Sequence, residues 1–240
     1  MSVNIQAFFC GHVFTREQVQ AWERRRAQIV LKKLGIVPTQ PDDLLYMRRQ
    51  LMERKLALGV QGVHDRLRTE LAIATPATHA MVRLSFGRRR FSVTELLVEG
   101  GSAQKFVQWF NERTAHNDET AMLAACPDHY VIRTLPNGAQ EVIETTGGAP
   151  MVSRFLIDYQ DLSSLRSIVD PAYPLQIAGV ARSESGLVLG GVRHQFKPEG
   201  GGFRAKLTVE FPVLIFPGVI EGHQWHLACE FSNWIEAAFA

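Results

Sequence analysis

The stretch from Tyr130 to Thr145 constrains the fold more than any other. Two runs with alternating apolar residues, Tyr130 to Leu135 and Ala139 to Thr145, flank Pro136-Asn137-Gly138. Proline suits the second position of a type I turn and glycine supplies the left-handed residue after it, so the segment predicts a β-hairpin. Folding the ladder about that turn sets His129 opposite Glu144 or Thr145. Strand alternation puts His129, Val131 and Arg133 on one face, together with Gln140, Val142 and Glu144 of the partner.

Further strand patterns follow at about 151–158, 175–182 and 187–197, and then from Phe203 to Ile215. In the last of these Phe203, Ala205, Leu207, Val209, Phe211 and Val213 form an inner face. An earlier alternation, AMVRLSF at 80–86, predicts another strand. Between it and the hairpin, Ser92-Val93-Thr94-Glu95 has the form of a capping box and Ser102 precedes an apolar set at helical spacing, which predicts two helices. At the N-terminal end, helices are expected from Thr15 to Leu34, from Pro41 to Ala57 and from Val60 to Ala74. Gly222 to Ala240 reads as an amphipathic C-terminal helix. The expected class is α+β, with a helical part over 1–75. A domain over 76–240 follows, in which a curved antiparallel sheet of six or seven strands grips the C-terminal helix.

Composition excludes several classes. Lys and Arg number 26 against 24 Asp and Glu, a net charge of +2 that is too small for a dedicated nucleic-acid surface. The triplets Arg24–Arg26 and Arg88–Arg90 read as solvated faces. No apolar run is long enough for a membrane span, and the first residues lack the pattern of a signal peptide, so neither a membrane nor an exported location is expected and the cytoplasm is. The 3 cysteines, Cys10, Cys126 and Cys229, form no zinc-ribbon spacing, which leaves His and carboxylates as the main candidates for holding a metal.

Two pairs stand out. His226 and Glu230 are four apart on the C-terminal helix and so share a face. His129 and Glu144 are cross-strand neighbours in the hairpin. If the sheet grips the helix, the four make a two-His, two-carboxylate set suited to Zn²⁺, with the two imidazoles no more than about 6 Å apart. The alternatives are a helical ion pair and a solvent-facing cross-strand contact. His223 could replace one ligand or lie in solvent, and His194 could be a core-edge residue or a general acid or base in the cavity. Tyr130, Tyr159 and Tyr173 could recognise polar substituents, while Trp225 and Phe231 could pack a ring. Cys229 reads as packing.

The ending EGHQWHLACEFSNWIEAAF resembles the C-terminal zinc motif of the diacetylphloroglucinol hydrolase and phloretin hydrolase family. That resemblance implies a Bet v 1/START-like helix-grip domain with an added N-terminal helical part, and zinc-dependent cleavage of a carbon–carbon bond in an acylated phenol or polyketide-like ketone. His226 and Glu230 match the C-terminal ligand pair, and His129 and Glu144 would be the upstream ligands. Glu230 and His194 would serve the chemistry, with Tyr130, Trp225 and Phe231 around the substrate. Competing readings are a ligand-binding helix-grip protein without activity and a metal-free polyketide cyclase or aromatase. Apolar Leu44, Leu45, Met47, Leu51 and Met52 suggest a homodimer through the N-terminal helices.

Overall fold

A computed structural model describes residues 3–240. The chain is α+β, built on one nine-stranded antiparallel sheet in the order β2-β1-β3-β9-β8-β7-β6-β5-β4. Its strands are β1 (Asn4–Phe9), β2 (His12–Phe14), β3 (Arg89–Glu99), β4 (His129–Thr134), β5 (Gln140–Glu144), β6 (Ser153–Asp158), β7 (Leu175–Arg182), β8 (Val188–Glu199) and β9 (Gly202–Pro212). The helices are α1 (Arg16–Lys33), α2 (Leu44–Leu84), α3 (Ala103–Ala115), α4 (Glu119–Ala124) and α5 (Pro217–Ala238). Among the described residues no helix is long and apolar enough to cross a membrane.

The C-terminal helix organises the core. Every residue of α5 from His226 to Ile235 is buried, as expected for a helix covered on all sides. It touches β1 and β3 in one half of the sheet and the short turn Thr146–Gly148 that follows β5 in the other, so the sheet bends around it. α1 and α3 close the remaining sides. A second cluster lies between α1, α2 and the outer face of the β4–β5 hairpin, and contains Val30, Leu31, Met47, Tyr130, Val131 and Ile143.

Several expectations need correction. The N-terminal part over 1–75 is not purely helical: residues 4–14 form a hairpin, and β1 joins the main sheet through β3. The strand expected at 80–86 is instead the end of α2, which stops at Leu84, and the turn after it; the helix continues through Pro76 and is interrupted only at Gly59, with φ of 60°. Seven residues of alternation are too few to separate a strand from a half-buried helix end. The capping box at Ser92 lies inside β3, where the Ser92 and Thr94 hydroxyls donate instead to the carbonyls of Ile220 and Gln224 on α5. Leu44, Met47 and Leu51, offered for a dimer, are buried within the chain, leaving Leu45 exposed. Arg26 is not solvated; it makes a bidentate ion pair with the buried Asp128.

One buried cation carries a measurable cost. Lys55 on α2 is 3% exposed, and its ammonium donates to the Pro127 carbonyl at 3.0 Å. Burial, opposed by Cys126 and Asp128, brings its pKa from 10.5 down to about 8. The folded chain therefore releases a proton that the unfolded chain still holds between these values, and stability should rise with pH across that window by on the order of 3 kcal/mol. Lys55→Met is expected to unfold at higher urea concentration than the wild type at pH 7, by about 1–3 kcal/mol. That advantage should shrink from pH 8 to 10. A difference that does not vary with pH would contradict this account.

Candidate metal centre

The hairpin and α5 bring the two predicted pairs together. β4 and β5 pair His129 with Glu144, the register implied by the Pro-Asn-Gly turn. A bulge at Tyr130 then shifts the ladder, so Val131 opposes Ile143 and Ile132 opposes Val142. The expected shared face of His129, Val131 and Arg133 is therefore wrong. His129 shares its side with Ile132 and Val142 and lines the cavity, whereas Tyr130 and Val131 turn toward α1 and α2.

The helix is fixed to the hairpin by a glycine contact. A Cβ on Gly222 would lie 2.0 Å from the carbonyl oxygen of Gly147, and one on Gly147 would lie 2.5 Å from that of Val219. Only glycine at both positions lets the turn after β5 meet the backbone of α5. The approach brings Glu144 against the His226 turn of the helix.

His129 Nε2 and His226 Nε2 are 2.9 Å apart. A Glu230 carboxylate oxygen lies 3.1 Å from His129 Nε2 and 3.7 Å from His226 Nε2. A Glu144 oxygen lies 3.8 and 3.7 Å from the same two atoms. Four donors placed tetrahedrally around one Zn²⁺ at 2.0–2.2 Å would be about 3.3–3.6 Å from one another. The observed separations bracket that value, and all four residues are buried. Two imidazole nitrogens this close cannot aim lone pairs at each other, so a proton or a cation must lie between them.

A second grouping shares both histidines. Buried Cys126, His129 and His226 offer ligand atoms within 4.8 Å of one another, and this cluster could hold a metal ion. Cys126 Sγ, however, is 3.9 Å from His226 Nδ1, the ring nitrogen on the far side from the carboxylates. Burial and the neighbouring Cys229 push the Cys126 thiol well above its ordinary range. Cys126 therefore fits better as the group that orients the His226 ring from behind. Although burial alone would raise it, hydrogen bonds from His129 and His226 hold the Glu230 carboxyl well below its usual range. Glu230 is thus ionised, as a ligand must be.

No family model matches the chain, and no curated protein does.

The site forms one wall of a cavity of about 600 Å³. His129, Glu144, His194, Tyr159, Glu230 and Phe231 all line it. Burial lowers the His194 imidazole to about 4 against the pull of Glu230, so it is neutral near pH 7; its ring lies 4.7 Å from that of Phe231. Tyr159 donates to Gln140 at 2.9 Å inside the same cavity. His223 is buried rather than in solvent. It stacks on His226 at 5.2 Å and contacts Ser92 Oγ through Nδ1, outside the close set of four.

Other placements differ from expectation. Trp225 does not line the cavity but packs on Phe9 and Phe14 near the N-terminal hairpin. Tyr130 accepts a hydrogen bond from Thr145 in the second cluster, so neither residue is positioned to meet a substrate. Tyr173 sits beneath Lys197 and Lys206, away from the cavity. Phe231 lines the cavity. Gln140 lines the cavity on the strand face it was expected to share with Glu144, four residues on, whereas Trp234 was missed: it follows Glu230 by four on α5, stacked 5.9 Å from His129. Both periodicities were available in the sequence.

Proposed function

We propose that this chain is a zinc-dependent hydrolase of the Bet v 1-like helix-grip type, which cleaves the bond between an aromatic ring and an acyl group in a small phenolic or polyketide-like ketone. The observation that carries the proposal is the convergence of two imidazoles and two carboxylates on one point in the wall of an apolar cavity. His129, Glu144, His226 and Glu230 would hold the ion, which when bound supplies Lewis acidity to a carbonyl. The reaction adds water across the ring–acyl bond: hydroxyl goes to the acyl carbon, a proton goes to the ring carbon, and a phenol and a carboxylic acid leave. Phe231 and Trp234 present aromatic surface for the ring, and the Gln140–Tyr159 pair offers a donor and an acceptor to phenolic hydroxyls. His194, neutral and buried beside Phe231, can carry the proton between water and ring.

Elemental analysis of the purified protein together with a panel of acylated phenols tests this reading. The expected result is about one equivalent of zinc and release of carboxylic acid in step with the deacylated phenol. Both should be lost in His226→Ala. A folded, metal-free protein that binds such compounds without turning them over would favour the ligand-carrier reading instead.

A further inference from the structure

The entrance of the cavity carries an apolar rim that the interior chemistry does not explain. Leu84 is 58% exposed, Phe86 81%, Leu214 49% and Phe216 77%. Leu84, Leu214 and Phe216 also line the cavity, so the exposed patch and the interior are continuous. The two segments are tied into one projection: Val213 N–H donates to the Arg88 carbonyl at 3.0 Å, and Leu214 N–H donates to Ser85 Oγ at 3.4 Å. Phe86 stands at the tip with φ of 49°, a left-handed conformation that a bulky side chain seldom takes. Strain of this kind persists only where the surroundings enforce it, and here it holds an aromatic ring out in water.

Charge surrounds the rim on one side. Arg83 and Arg88 are exposed and have no ion-pair partner among the described residues, and Arg90 bonds the Ile215 carbonyl at the base of the same projection. Arg89 is the exception, 3.7 Å from the buried Glu210. The acidic residue next along the chain, Glu221, lies beyond Phe216 in the first turns of α5. Two aromatic rings and two leucines flanked by unpaired arginines match an interface of acyl chains beneath anionic headgroups.

We propose that the rim formed by residues 83–90 and 213–216 docks the protein on an anionic lipid bilayer, with the cavity mouth against the membrane so that apolar compounds enter from the lipid. Docking of this kind is peripheral and needs no spanning helix. It stands apart from the metal reading, since the rim would act in the same way for a ligand carrier.

Co-sedimentation with phosphatidylcholine vesicles, with and without phosphatidylglycerol, tests the proposal. The protein should pellet with the anionic vesicles and do so far less with the neutral ones. Partitioning should weaken by about tenfold or more in Phe86→Asp/Phe216→Asp and in Arg83→Glu/Arg88→Glu, and fall with added salt. Aspartate tolerates the left-handed conformation better than phenylalanine, and all four positions are exposed, Arg83 in the last turn of α2 and the others in the loops beyond it and before α5, so zinc content and melting temperature should be unchanged in both variants. No binding to anionic vesicles, or equal binding by wild type and variants, would overturn it. So would a dimer in light scattering that Phe86→Asp/Phe216→Asp converts to monomer, because a second copy would then cover the rim.

Discussion

In protein that holds the proposed ion, a chelator is expected to lower the melting temperature by roughly 10 °C. The proposed ligands come from two distant parts of the chain, His129 and Glu144 on the hairpin and His226 and Glu230 on α5, so the unfolded chain cannot assemble them. An ion that binds only the folded form stabilises by RT ln(1 + [L]/Kd), about 4 kcal/mol when the free metal exceeds Kd a thousandfold. For a chain of this size each kcal/mol moves the midpoint by about 2–4 °C. His226→Ala and Glu144→Gln should each lose most of the metal and most of this response. Binding should also weaken toward acid, since both imidazoles must be neutral and both carboxylates ionised to ligate. Differential scanning calorimetry with and without chelator, on protein shown to contain metal, reads the effect. An unchanged midpoint would mean that the ion is adventitious and that the close set of four is a proton-sharing network.

The parts of this site that were legible in the sequence share a physical cause. Pro136-Asn137-Gly138 admits few turn geometries, so it narrowed the partner of His129 to Glu144 or Thr145, and the bulge at Tyr130 selects Glu144. Helical spacing fixed His226 and Glu230 on one face of α5. The bulge at Tyr130 left no comparable mark, because an extra strand residue depends on how the ladder packs on both faces. Val131 was accordingly placed on the face of His129 although it belongs to the cluster under α1 and α2. Trp225 was misplaced for a related reason: periodicity says which residues point inward from a helix, but not which neighbour they meet. At Ser92 the same residue types serve a helix N-cap or a strand whose hydroxyls bond a helix behind it, and only tertiary structure separates the two. The Cys126 contact behind His226 joins residues 100 positions apart and has no local signal.

The Arg24–Arg26 triplet shows how a bland reading can hide a structural anchor, and it yields the second large effect. Arg26 Nε and Nη2 meet the Asp128 carboxylate at 2.8 and 2.7 Å, and the Asp128 side chain has no exposed surface. Gly148 leaves room for the arginine, since a Cβ there would lie 3.2 Å from Nη1. The Asp128 carbonyl also accepts from Thr145 N–H at 3.0 Å, so this residue ties α1 to both strands of the hairpin immediately before His129. Asp128→Ala should therefore cost about 3–5 kcal/mol, because it strands a largely buried guanidinium without its partner. The paired change Arg26→Met/Asp128→Ala should cost clearly less than the sum of its single changes, for it removes both charges together. The same loss should loosen the start of β4 and weaken metal binding without touching a ligand, which titration of the variant with zinc would show. Urea denaturation of the four proteins in this cycle measures the coupling. A single-variant loss below about 1 kcal/mol would place Arg26 and Asp128 with ordinary surface ion pairs and remove them from the support of the site.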